Sequence, residues 1–261
     1  FPRLEVKGAA IATMLGNIVA FIMALYSVSK KDGYLHLSFK DNWKFDRETL
    51  VALYRISLPS FIEQIFLRIG FFTYTKAVAN LGTVRYATHQ ICMNIMTISF
   101  GLGDGLSVAS STLVGQSLGA RRSDLAIVYG KVLQRIGFIM SVLLGIGIVL
   151  TRSEIMWLFS KESEVIRMGA EILIMLAVTI QFQVNQVITM GCLRGAGDAK
   201  FVAFISLITV TIIRPCSTYL FAYTMGLGLP GAWLSVFLDQ LIRLVASKWR
   251  FNQAKWTKIT I

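Results

Sequence analysis

Residues 86–120 read YATHQICMNIMTISFGLGDGLSVASSTLVGQSLGA, without a lysine, arginine or glutamate and with one formal charge, Asp104, near the middle. About 20 apolar residues cross a bilayer as a helix, so this stretch spans with length to spare for tilt. A carboxylate at the centre of such a helix costs about 2.5 to 3.5 kcal/mol on insertion scales, and residues of this kind face a bundle interior or an aqueous cavity. Asp104 therefore marks a candidate pathway. The alternative is a helix-packing carboxylate satisfied by a neighbour.

Outward from this stretch the same pattern repeats. Hydrophobic residues make up 55% of the chain and charged residues 15%, and the mean hydropathy is +0.63, where a soluble domain carries about 25% charged residues. The chain reads as an all-α integral membrane protein with seven apolar segments, at 8–28, 50–81, 87–118, 125–150, 165–191, 201–225 and 231–246.

A net charge of +12 in a soluble chain would point to nucleic acid, but here the basic residues sit between spans. Lys30, Lys31, Lys40, Lys44 and Arg47 follow the first span, Arg121 and Arg122 the third, Arg194 and Lys200 the fifth, and Lys248, Arg250, Lys255 and Lys258 the last. If every segment crosses once, all fall on one side, which the positive-inside rule makes cytoplasmic. This predicts a multi-pass cell-membrane protein with membrane lipid around it, a cytoplasmic C-terminus, Phe1 outside and no nucleic-acid partner.

An outside N-terminus with no initiating Met and no signal-like start predicts a piece of something longer. Internal similarity points the same way. Residues 6–12, VKGAAIA, and 229–235, LPGAWLS, each bring Gly-Ala into an apolar helix entering from outside. Either these are equivalent final helices of two parallel repeats, or they share only the small alphabet of membrane helices. The first reading makes residues 1–28 the final helix of an N-terminal lobe that is otherwise missing, 29–49 a cytoplasmic linker, and 50–261 a six-helix C-terminal lobe with a cytoplasmic tail.

Leu58-Pro59-Ser60-Phe61-Ile62-Glu63-Gln64, Leu81-Gly82-Thr83, Ala87-Thr88-His89-Gln90-Ile91, residues 112–120 (TLVGQSLGA), residues 193–198 (LRGAGD) and residues 239–243 (DQLIR) with Arg250-Phe251 and Trp256 occur in an order and spacing that resembles the multidrug and toxic compound extrusion (MATE) transporters. The resemblance covers nearly the whole chain and is to the sixth helix of such a transporter followed by helices seven to twelve. It implies a twelve-helix exporter of two lobes, coupled to sodium or proton entry by antiport, that moves cationic or amphipathic drugs and toxins outward.

Glu63 fits that implication as a cation-coupling residue. Pro59 removes an amide hydrogen bond and opens the helix near the Arg55 carbonyl, and Glu63 lies one turn later on the same face. Hard ions take oxygen ligands, and a proton needs a titratable group in the membrane. The alternative is that Glu63 pairs with Arg55 or Arg68 and holds helices together. Some sodium-binding members of the family carry a further acid in the tenth helix, where this chain reads Gln181-Phe182-Gln183-Val184-Asn185-Gln186. Amides ligate sodium but do not titrate, so a two-carboxylate cation site in this lobe stands only if Asp104 supplies the second charge. Gln183, Gln186 and Asn94 are candidate polar liners of a cavity, with interhelical hydrogen bonding as the other reading.

Arg214 precedes Pro215 in an otherwise uncharged span, which predicts a kink and a guanidinium in need of a carbonyl or carboxylate. It reads as a gate, a charge-balancing group or a packing group. Asp239 and Arg243 have the spacing of a same-face ion pair. The glycines of 101–105 and 115–119 suit close helix approach. Cys92, Cys192 and Cys216 read as free, buried thiols. His36 and His89 have no metal-ligand spacing, so no metal site is expected, and no cofactor other than the coupling ion. Residues 226–231 match GxGxxG but follow a span and not a strand, so a dinucleotide site fails on context. No nucleophile and base pair points to an enzyme. A lipid or lipid-linked oligosaccharide flippase of the same superfamily is the alternative. Its cavity needs cationic groups for phosphate, for which Arg55, Arg68, Lys76 and Arg214 are available.

Overall fold

The computed structural model describes residues 5–29 and 46–258, so the expected linker at 29–49 lies almost wholly outside the described residues. The chain divides into two units, Phe1–Ala52 and Leu53–Ile261. In the first, one helix, α1 (Glu5–Ser29), covers the apolar segment expected at 8–28. The described residues contain helices and turns but no strand.

The remaining helices follow in close succession. They are α2 (Arg47–Ala79), α3 (Thr83–Gly119), α4 (Ser123–Leu150), α5 (Arg152–Phe159), α6 (Ser163–Gly195), α7 (Ala199–Leu207), α8 (Arg214–Thr218) and α9 (Gly228–Asn252). Among the described residues α3, α4, α6, the Ala199–Thr224 span and α9 are long and apolar enough to cross a membrane. With 33 residues α2 is also long enough, but Arg55, Glu63, Arg68 and Lys76 recur along it and lower its apolarity. The short α5 was not foreseen, because eight residues carry too little periodicity to stand out beside membrane spans.

At the centre of the second unit lies α6. From Gln183 to Leu193 every residue but Val187 is buried, so this part of the helix meets protein on all sides. It packs against α3, α4, α5 and α9. In α4 one stripe, Ala126, Gly130, Leu133, Gly137, Ser141, Gly145 and Ile148, is buried, while Phe138, Leu143, Ile146 and Leu150 on other faces are exposed. An apolar exterior over a small-residue interface is the arrangement a membrane imposes, because lipid gives no hydrophobic drive for helices to associate and van der Waals fit must do so.

The tightest crossing is between α3 and α6. A Cβ added to Gly191 would sit 2.6 Å from the Ser107 carbonyl oxygen, and one added to Gly195 2.7 Å from Ser111 Cα. Of the glycines expected to serve close approach, Gly103 and Gly115 do face α6, with neighbours at 3.6 and 3.1 Å, but Gly101, Gly105 and Gly119 have nothing within 4 Å. These three lie on exposed faces of α3.

The discontinuity expected at Pro215 takes the form of two π-helical segments, Ile208–Ile213 and Tyr219–Thr224, on either side of α8. A proline without an amide hydrogen disturbs the ladder, and wider π turns accommodate the mismatch. Here α2 crosses closely, since a Cβ on Gly70 would lie 2.5 Å from the Val210 carbonyl oxygen. Tyr223 donates to the Ala77 carbonyl at 2.5 Å and Thr211 to that of Phe66 at 3.3 Å. Cys92 and Cys192 are buried as expected, but Cys216 is exposed on this span, a correction that follows from its facing away from α9 while Ser217 and Thr218 face inward.

The segments with the basic flanks converge at one end of the bundle. Val114, Ala126, Leu193, Ala196, Val202, Phe251 and Trp256 form one cluster there. Arg250 donates to Asp198 at 2.7 Å, and the Trp256 indole donates to the Phe251 carbonyl at 2.8 Å. Alternating single crossings produce this gathering of ends.

Candidate functional site

Three helical stripes and one residue each of α7 and α9 line a cavity of about 430 Å³ in the second unit. Gln64, Leu67, Arg68 and Phe71 follow the three-and-four spacing of one face of α2, and Phe100 and Asp104 do the same on α3. Gln186, Val187, Met190 and Arg194 come from α6, Ser206 from α7 and Arg243 from α9. The size lies within the range of about 300 to 1,000 Å³ usual for small-molecule pockets.

Asp104 is exposed to this cavity, and no hydrogen bond or ion pair to it exists among the described residues. The helix-packing alternative needs a neighbour for Asp104, and none is found among the described residues. Three guanidiniums share the lining with this one carboxylate, those of Arg68, Arg194 and Arg243.

Behind the cavity wall lies a buried ionic cluster. Arg243 Nη2 donates to Asp239 Oδ2 at 3.0 Å and to Gln240 Oε1 at 3.2 Å. The same Asp239 oxygen accepts from Arg214, and both of these side chains are sealed, at 3% and 0% exposure. Arg214 also lies over the rings of Phe71, at 4.9 Å, and Tyr74, at 5.7 Å. Two cations on one anion, completed by ring faces, is how a buried guanidinium avoids the several kcal/mol of isolated desolvation. Beyond Tyr74 the His89 ring follows at 5.4 Å and Trp233 at 5.6 Å from His89. Phe71 thus has the cavity on one side and Arg214 on the other.

The amides of the 181–186 stretch serve mainly as links between helices. Gln181 and Ser141 exchange two hydrogen bonds of 2.8 Å between α6 and α4. Ser99 donates to Gln183 Oε1 at 2.7 Å across the α3–α6 contact, so Gln183 sits in a helix interface and not on the cavity. Gln186 does line the cavity, and its amide nitrogen reaches the Met190 sulfur at 2.8 Å. Asn94 lies elsewhere, on an apolar groove of about 540 Å³ between α3, α4 and α5. Glu63 and Pro59 belong to α2, which is helical throughout, but their side chains lie outside the described residues.

The structure therefore brings Asp104, Gln186 and, through Asp239 and Arg243, Arg214 to one region, and leaves Asn94 and Gln183 out of it. Sequence reasoning missed Arg194 as a liner because it counted as a loop charge. The signal was the helix C-terminus: α6 runs on to Gly195 and carries Arg194 in its last turn. It also missed Asp239 as the carboxylate that Arg214 requires, since the two are 25 residues apart and meet only through packing of α8 on α9.

A family model described as MatE matches residues 59–220. The chain is similar to the uncharacterized transporter YisQ of Bacillus subtilis, 26% identical over 254 residues that make up 96% of this chain and 55% of YisQ. It is likewise similar to the probable multidrug resistance protein NorM of Thermotoga maritima, 27% identical over 99% of this chain and 55% of that protein. The multidrug resistance protein MdtK of Yersinia pestis is 26% identical over 91% and 53%. The chain spans about half the length of these curated relatives. Among solved structures, a MOP superfamily transporter from Pyrococcus furiosus with a binding pocket of reverse polarity superposes with a TM-score of 0.85 at 20% identity, over 99% of this chain and 59% of its own. An outward-facing multidrug resistance MATE family transporter gives 0.83 at 20%, over 96% and 57%. At this identity the two show a shared fold.

Proposed function

Because the chain belongs to the MatE family of transporters, we propose that it supplies the last helix of an N-terminal lobe (1–28), a cytoplasmic linker (29–49) and the C-terminal lobe (50–261) of a two-lobe exporter in the cell membrane, with its C-terminus cytoplasmic. The transported compounds are drug-like and amphipathic, and efflux is coupled to entry of sodium or a proton through Asp104 and Glu63. The carrying observation is Asp104, a carboxylate exposed in a membrane-embedded cavity without a protein partner among the described residues. A group left in that state at a cost of several kcal/mol is one that binds and releases a charge. Alternating access needs two lobes rocking about a central site, so this chain acts with a first lobe.

The test is gradient-driven dye efflux from proteoliposomes by the two-lobe protein. We expect Glu63→Gln and Asp104→Asn, which keep shape and hydrogen bonding but remove the titratable group, each to abolish efflux at normal protein levels. Undiminished, gradient-dependent efflux by both variants refutes the coupling assignment. The flippase reading keeps one observation in its favour, the three guanidiniums on the cavity. Export of a labelled lipid without dye efflux decides for it.

A further inference from the structure

The outer side of α4 carries two charges that the bundle itself does not use. Lys131 and Arg135 are exposed and one turn apart, on the side away from the stripe of Ala126, Gly130, Leu133 and Gly137 that α4 buries. Neither side chain has a hydrogen bond, ion pair or ring contact among the described residues. Two carboxylates at this end of the bundle are engaged elsewhere, Asp124 with Arg122 at 2.9 Å and Asp198 with Arg250 at 2.7 Å. At about 1.5 Å per residue, Lys131 and Arg135 stand about 12 and 18 Å from the start of α4 at Ser123. Exposed Val128 lies before them and exposed Phe138 and Ile139 after them, so apolar surface continues on both sides of the pair. The uncharged run 136–150 rises only about 22 Å, short of the hydrocarbon core of about 30 Å. A span by α4 therefore carries Arg135 below the bilayer surface and Lys131 to its edge. Side chains on a helix lean toward its N-terminus, so both cations reach back toward the end that carries Arg121 and Arg122, which is the direction of the lipid phosphates.

We infer that Lys131 and Arg135 form a docking site for the head group of an anionic phospholipid. The Arg135 guanidinium fork takes two phosphate oxygens, Lys131 adds a point charge, and the acyl chains lie on Val132, Phe138 and Ile139. The occupant is a lipid because the surround is exposed and apolar. A protein partner would have to bring its own carboxylate into the membrane, whereas phosphate is present along every bilayer surface. An anionic lipid is selected over phosphatidylcholine, whose trimethylammonium two neighbouring cations repel. The inference needs only that α4 spans the membrane, for which it is long and apolar enough, and it stands apart from the coupling assignment.

The purified chain is placed in mixed micelles with equimolar phosphatidylglycerol and phosphatidylcholine of equal chain length, and native mass spectrometry counts the lipids of each kind that it retains. Attraction of a basic residue to anionic lipid amounts to about fivefold, so we expect phosphatidylglycerol to be preferred about tenfold or more at one saturable site. Lys131→Gln and Arg135→Gln each cut the preference by about fivefold, the double variant removes it, and Arg135→Lys keeps most of it. Both positions are exposed, so these variants fold, and phosphatidylglycerol raises the melting midpoint of the parent but not of the double variant. Lys248→Gln, an exposed base on α9 at the same end of the bundle, leaves the preference unchanged. Equal retention of the two lipids overturns the site, as does a preference that survives in the double variant. An equal loss on Lys248→Gln overturns it in favour of diffuse attraction to the basic end. Displacement of the lipid by millimolar glycerol phosphate overturns it in favour of a soluble anion. A dimer without retained lipid that dissociates in the double variant overturns it in favour of an interface between copies.

Discussion

Replacing Asp239 with Asn probes the ionic cluster most directly. The side chain is fully buried and is the shared partner of Arg214 and Arg243. Asn keeps the volume and one accepting oxygen but removes the negative charge that the two guanidiniums share. Breaking a buried pair by removing one partner costs about 3 to 5 kcal/mol, because the remaining charge keeps its desolvation penalty. For a chain of this size each kcal/mol corresponds to about 2 to 4 °C, so the melting midpoint in detergent falls by roughly 6 to 20 °C. Cys92 and Cys192, both at 0% exposure, report unfolding through a thiol-reactive dye once the exposed Cys216 is changed to Ser. Arg214→Gln combined with Asp239→Asn is the deciding variant. It leaves Arg243, which reaches the cavity and can be hydrated there, so we expect the double variant to recover at least half of the loss. An Asp239→Asn protein that melts within about 2 °C of its parent, or a double variant no better than the single one, refutes the reasoning that the cluster is held by charge balance.

Two further outcomes follow from packing and from the converging helix ends. Gly195→Leu drives a side chain into the Ser111 backbone at the α3–α6 crossing, and we expect a loss of about 3 kcal/mol or more, read as lower yield and melting point, while Gly119→Leu, with nothing within 4 Å, stays within about 0.5 kcal/mol. Arg250→Gln leaves Asp198, whose side chain is 8% exposed, without its cation and should cost about 1 to 3 kcal/mol in the same dye assay. If Arg250→Gln and Asp198→Asn together cost as much as the sum of the two singles, the ion pair does not hold that end of the bundle.

The helices were legible because each leaves a long apolar signature, and the family motifs fixed their order. The interior of the bundle was less so, for reasons that differ from residue to residue. Gln183 looks like a liner in a sequence, since polar residues in a span need a reason to be there. Only packing shows that Ser99 donates to its amide oxygen and that α6 is buried on the face it occupies. Arg214 announced that it needed a partner, but periodicity along one helix cannot name a residue on another, so Asp239 was matched to Arg243 and not to both.

The lining of the cavity was hidden for a related reason. Arg194 follows its apolar stretch, where topology rules count a basic residue as a loop charge, whereas Arg68 lies in the middle of its own. Extension of α6 to Gly195 and the close approach of α2 at Gly70 place both residues on the cavity lining. A single acid such as Asp104 is conspicuous in a span, so sequence reasoning weights it heavily. The arginines that line the same cavity become visible only when the helices are seen to share one space.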